Sequence, residues 1–174
     1  MWDHGSAQRN RPGRAARKVH QHRRLALAAW RADRAGLDRS RLPVARAACR
    51  NDAVEWFIKV HPSNIWRGEL KSMIDRGRYE EELLIESAIG RLPDHVHIVA
   101  PNHPVNPLDW FRTADYCVTV RGTSGLECAA LGKTVITAGT GRYEGRGFTV
   151  DPAERSDYIR ILESLPAIDA PTSA

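Results

Sequence analysis

Arg121-Gly122-Thr123-Ser124-Gly125-Leu126-Glu127 joins one apolar run, Tyr116 to Val120, to an Ala-rich apolar run, Leu126 to Leu131. Gly122 and Gly125 allow a tight turn that a ligand can approach closely, and a helix start beyond it offers free N–H groups and a positive dipole end to an anion. Arg121 adds a permanent charge suited to phosphate or carboxylate; the competing use is a salt bridge to Asp115 or another acid. Thr123 and Ser124 are helix-capping residue types, which would face an anion by the same geometry. Ser124-Gly125-Leu126-Glu127 also spells a capping box, in which Glu127 satisfies the Ser124 backbone N–H. A second cluster, Gly139 to Gly147, follows the apolar run Thr134 to Ala138 and carries Thr140, Gly141, Arg142, Tyr143 and Arg146. His61-Pro62 ends a third run, Glu55 to Val60, with Pro62 favouring an extended backbone at His61. His61 either meets an anion or caps local backbone. His103-Pro104 reads as a turn.

The elements that position these groups follow from periodicity. Strands are predicted at Glu55 to Val60, Val96 to Val99, Tyr116 to Val120 and Thr134 to Ala138, with a short edge strand at Phe148 to Val150. Helices are predicted within Gly68 to Arg91, with a break at Gly77, and at Pro107 to Ala114, Ser124 to Leu131 and Ser156 to Leu165. Strands alternating with helices give an α/β fold, a single Rossmann-like parallel sheet, in which consecutive glycine loops open on one edge. Trp56, Phe57, Trp110 and Phe111 are assigned to packing rather than to a stacking platform. Lys59 reads as a strand-end charge, and Asp115 as a brace for the loop before its strand. No catalytic base stands out.

Charge is distributed unevenly along the 174 residues. Residues 1–50 hold 13 Lys and Arg against 3 acids, leaving 13 against 18 in the remainder. The first segment is Ala- and Arg-rich and has no alternating strand pattern. It is expected to be a poorly ordered, irregular basic extension over residues 1–51, ahead of a domain at 52–165 and a flexible tail at 166–174. A basic arm for nucleic acid or anionic lipid, or an Arg-rich targeting peptide, is the less favoured reading. Cys49, Cys117 and Cys128 are odd in number and lack metal-type spacing, so free thiols in a reducing compartment are expected. No run approaches the length of a membrane span and the start lacks a secretion-signal core, which points to the cytoplasm.

The ordered strings Lys59-Val60-His61-Pro62, Ala114-Asp115, Val118 to Glu127, Leu131-Gly132-Lys133 and Gly139 to Thr149 resemble the C-terminal half of bacterial capsule polysaccharide biosynthesis proteins. These are similar to GT-B glycosyltransferases, among them Kdo transferases and polysialyltransferases. The resemblance covers Val54 to Leu165 and excludes residues 1–50. It implies a donor domain that binds a nucleotide sugar, whose phosphate meets His61, Arg121, Gly122, Thr123, Ser124 and Gly125. Glu127 then accepts hydrogen bonds from a ribose, as the alternative to its capping role. Gly139, Thr140, Gly141, Arg142, Tyr143 and Arg146 close over the sugar, as the alternative to a solvated turn. A CMP-sugar is the expected donor class, as substrate rather than cofactor, and the absence of an Asp-x-Asp pair argues against a metal-held diphosphate. The implied acceptor is a lipid-linked or glycan chain, bound through an N-terminal half that this sequence does not display, so the chain alone is expected to be inactive. The cytoplasmic face of the inner membrane, by peripheral association, is the implied location. A nucleotide-sugar epimerase-like half and a non-catalytic anion- or nucleotide-binding module remain as alternatives.

Overall fold

The computed structural model describes residues 23–30, 42–61, 80–138 and 142–168. In chain order these form β1 (Arg24–Trp30), α1 (Leu42–Arg50), β2 (Val54–Val60), α2 (Glu80–Ile89), β3 (Val96–Val99), α3 (Pro107–Thr113), β4 (Tyr116–Thr119), α4 (Ser124–Ala130), β5 (Thr134–Thr137) and α5 (Arg155–Glu163). The five strands are parallel and lie in the order β3-β2-β1-β4-β5. The chain therefore winds outward from β1 in one direction, then returns to its other side. In open sheets of this kind ligands bind beyond the C-terminal strand ends where the order reverses, here between β1 and β4.

Alternation along each strand sends successive side chains to opposite faces and so builds two cores. On one face Ala26, Ala28, Trp56, Ile58, Val118 and Ile136 pack with α1, with Ile85 of α2 and with Tyr158 and Leu162 of α5. On the other, Leu27, Cys117 and Val135 pack with Phe111 of α3 and Cys128 of α4, flanked by Phe57 and Trp110. Both faces of the sheet are covered, which is why its strands read as near-continuous apolar runs.

The expected boundary at Asp52 is corrected by β1 and α1. Residues 24–30 form the central strand, paired with β2 on one side and β4 on the other, and α1 lies in the core. Ala favours helix locally, yet here its smallness is what the site requires: Ala26 and Ala28 share a cluster with Ala45, Ala47 and Ala48 of α1, all buried. The remainder of the basic segment, with the arm and targeting readings, lies outside the described residues. The tail boundary also moves, because the Pro166 carbonyl accepts from the Tyr116 hydroxyl at 3.2 Å and Ile168 packs against the core.

Asp115 sets the alignment at the switch point. Its backbone N–H donates to the Leu25 carbonyl at 2.9 Å, and its carboxylate accepts from the Leu25 N–H at 2.8 Å. The brace expected of Asp115 is thus a tie between β4 and β1. Asn106 caps α3 by accepting from the Leu108 N–H at 2.9 Å, and the helix opens at Pro107 as expected. The expected strand at Phe148 to Val150 reduces to a single bridge between Val150 and Ile136. The proposed break at Gly77 falls outside the described residues.

Candidate functional site

Arg121, Gly122 and Thr123 form the exposed turn that leaves β4 at the C-terminal edge, and α4 starts at Ser124. The turn is braced from beneath. Thr119 accepts from the Gly122 N–H through Oγ1 at 3.3 Å, and the Gly122 carbonyl accepts from the Gly125 N–H at 3.2 Å. The capping roles expected of Thr123, Ser124 and Glu127 do not form. Thr123 occupies the N-cap with helical backbone angles and makes no side-chain cap bond, while Ser124 is already inside the helix. Glu127 therefore sits one residue too far along for a capping box, and its carboxylate is exposed.

Gly125 explains the tightness of this corner. A Cβ there would stand 2.2 Å from the Tyr143 hydroxyl oxygen, so only glycine admits the tyrosine. Tyr143 is 6% exposed and its hydroxyl donates to the Gly122 carbonyl at 2.8 Å. Burial raises its pKa above the usual phenol value, with the buried Cys117 thiol as a further cause, so the donor stays protonated. Tyr143 is thus not part of a solvated turn: it bolts the second glycine loop to the first.

The second loop is held from its far side by Asp151. This carboxylate accepts from Thr137 Oγ1 at 2.7 Å, Thr149 Oγ1 at 2.8 Å and the Gly145 N–H at 2.9 Å. Arg142 and Arg146 are exposed on the loop so anchored. Gly139, Thr140 and Gly141 lie outside the described residues. The two loops leave adjacent parallel strands on one edge, and the Tyr143 bolt joins them.

His61 ends β2 at that same edge and is exposed, but β1 stands between β2 and β4. Two strand spacings, about 10 Å, therefore separate it laterally from the Arg121 turn. Pro62 lies outside the described residues. His103 accepts from the Val105 N–H at 3.3 Å, closing the turn expected there, and sits edge-on to Trp110 at 5.6 Å. Trp56 and Phe111 are core residues as expected, whereas Phe57 and Trp110 are half-buried and pack at 5.2 Å with His97 stacked on Phe57. Cys49, Cys117 and Cys128 are free thiols. The Cys117 thiol is pushed well up by its hydrogen bond to Cys128 and by burial.

Two residues with consequences for the site escape a reading by motif. Asp151 has no local signature, since its partners come from β5 and the loop. Lys59 does have a signal. It alternates with Phe57 on β2 and so faces the core carrying Leu27 and Cys117, not solvent; it is only 9% exposed. Burial lowers its pKa below the ordinary 10.5. Among the described residues no group of three or more His, Cys, Asp and Glu is disposed to hold a metal, and no helix is long and apolar enough to cross a membrane. The arrangement as a whole is an edge of exposed cations and glycine backbone, chemically fitted to an anion.

Among solved structures, the chain is similar to the beta Kdo 2,4 transferase KpsC of Thermosulfurimonas dismutans, with 22% identity and a TM-score of 0.49 over 85% of this chain and 46% of that one. It is also similar to the glycosyltransferase SnogD of Streptomyces nogalater, with 15% identity and a TM-score of 0.48 over 95% of this chain and 39% of that one. This chain thus spans less than half the length of either. Among curated proteins none matches it. The capsule polysaccharide biosynthesis protein family matches residues 42–159, taking in α1 and nearly everything from β2 to α5. That match spans well over half of the sequence, and the protein belongs to the capsule polysaccharide biosynthesis family.

Proposed function

We propose that the chain is the nucleotide-sugar-binding domain of a GT-B-type glycosyltransferase acting in capsule or surface polysaccharide assembly. The observation that carries this is the Arg121–Ser124 turn, set at the switch point of a parallel sheet and bolted by Tyr143 to a second cationic loop. A donor phosphate on this turn meets Arg121 and the backbone N–H groups of Thr123 and Ser124, which favour the charge that develops on a departing nucleotide. Glu127, exposed and without a capping role, accepts from the ribose hydroxyls. A CMP-sugar is the donor class this reading favours, and its acceptor is a lipid-linked or glycan chain at the cytoplasmic face of the membrane.

Orienting donor and acceptor together supplies roughly 7 to 11 kcal/mol of barrier reduction, and one sheet edge forms one wall of a cleft. Transfer in this reading therefore requires a second domain. Calorimetric titration with CMP and UDP tests donor binding: Arg121→Ala is expected to lose about 1 to 3 kcal/mol of affinity, the scale of a charge-assisted hydrogen bond. Glu127→Gln is expected to weaken nucleotide binding while leaving thermal stability unchanged. Equal affinity in the intact-fold Arg121→Ala protein removes this site from consideration.

A further inference from the structure

Thr119 and Thr137 are the last residues of β4 and β5, and they lie level with each other in the sheet. Level residues of a parallel pair share a face, here the one on which Cys117 and Val135 pack against α4. Both threonines are buried, and a buried hydroxyl needs a partner. Each uses its hydroxyl to hold one loop. Thr119 accepts from the Gly122 N–H at 3.3 Å, and Thr137 donates to the Asp151 carboxylate at 2.7 Å.

The second loop converges on Asp151. Its Oδ1 accepts from Thr137 and Thr149, and its Oδ2 accepts from the Gly145 N–H at 2.9 Å. The Tyr143 and Phe148 rings pack at 6.0 Å and draw the two arms of the loop together. Tyr143 then returns to the first loop through its bond to the Gly122 carbonyl. The bonds thus make a closed circuit, from Gly122 through Thr119, Thr137 and Asp151 to the second loop, and back through Tyr143. In a connected network the loss of one link spreads to the others, so a cut at Asp151 loosens the Gly122 turn as well.

We infer that Asp151 is a positioning residue of the donor site: it holds the loop that carries Arg142 and Arg146 against the Arg121–Ser124 turn, so that the two are set as one unit before a ligand arrives. This rests on the donor-domain reading for the identity of the ligand, but not for the coupling of the loops. Asp151 acts at a distance from the exposed arginines, since its bonds run to Thr137, Thr149 and Gly145. A loop already in place spares the ligand the entropy of ordering it.

The test is amide-resolved hydrogen exchange, with calorimetry of CMP and UDP, on the wild type, Asp151→Asn, Asp151→Ala and Asp115→Ala. Asp151→Asn keeps the size of the side chain but leaves one acceptor oxygen for three donors. Both Asp151 variants are expected to speed exchange at Gly122, a residue that Asp151 does not bond, about tenfold relative to the amides of β5. They are expected to weaken nucleotide binding about tenfold. Asp115→Ala loosens the opposite end of the same sheet and controls for lost stability alone; its nucleotide affinity is expected to match the wild type. Unchanged exchange at Gly122 in the folded Asp151 variants overturns the inference, and so does an affinity loss that Asp115→Ala reproduces. Equal nucleotide affinity in the Asp151 variants, with Arg121→Ala weakened, overturns the positioning role and leaves the donor reading standing. No binding of either nucleotide by the wild type overturns the donor reading and the positioning role with it, while exchange at Gly122 still reads the coupling of the loops. Should neither Asp151 variant fold, Tyr143→Phe cuts the circuit at its other end, and unchanged exchange at Gly145 then overturns the inference.

Discussion

Tyr143 and Gly125 form a pair in which each residue dictates the other. The hydroxyl bonded to Gly122 occupies the volume a Cβ at position 125 would need, so Gly125→Ala must displace the bolt. It is expected to destabilise the protein by about 1 to 3 kcal/mol, the usual cost of overpacking a fitted contact. Tyr143→Phe is expected to cost about 1 kcal/mol for the lost hydrogen bond, and the two substitutions to combine less than additively, as residues in contact do. Thermal or urea denaturation of the four proteins measures this; strict additivity would deny the contact. The bolt also titrates. The folded phenol holds its proton to higher pH than the unfolded one, so its contribution is whole below the unfolded value of about 10 and is lost as pH rises through the raised folded value. Lys59 acts oppositely: its burial penalty is complete at neutral pH and is relieved as pH rises toward 10.5. Tyr143→Phe should therefore flatten the alkaline fall in stability, and Lys59→Met should remove the rise beneath it. The glycines that make the turn are legible in the sequence, because glycine after a strand-like run has few other uses. The tyrosine that fills the space is not, since its contact joins two loops that no local pattern connects.

At the scale of elements, the strands and helices bounded by glycine or proline are readable to within a residue or two. Val96–Val99 is bounded by Pro93 and Pro101, and Pro107–Thr113 opens on its own proline. β1 is unreadable for a physical reason: Leu25 to Ala29 has a composition that favours helix in isolation, and the need for small side chains is imposed by α1 lying across it. The tie that holds this strand can be cut singly. Asp115→Ala leaves the Leu25 N–H without its acceptor and is expected to cost about 1 to 3 kcal/mol. The midpoint of urea unfolding should fall with its slope unchanged, because the strand is loosened but the surface exposed on unfolding is the same. An unshifted midpoint would mean that the backbone bond from Asp115 to Leu25 alone sets the register.

For the whole molecule, β1 is the only described strand that joins β3-β2 to β4-β5. Deleting residues 1–50 removes it together with α1 and divides the sheet into two pairs, neither of which covers its own faces. The truncated chain is expected to lose cooperative thermal unfolding and nucleotide binding together, and a sharp transition in it would show that the two pairs can close on each other. The basic residues of the opening segment are thus not evidence of a dispensable arm; composition changes at residue 52, but the fold does not. The position of β1 has a further consequence, for synthesis. It is the earliest of the described strands to leave the ribosome, and Leu27 meets Phe57 soon afterwards but must wait for Cys117. Through that interval the centre of the future sheet presents a bare apolar edge, open to any other strand in reach. Nascent chains stalled ahead of β4 are therefore expected to aggregate more readily than chains released after it, and shielding Leu25 to Ala29 during translation is expected to suppress this.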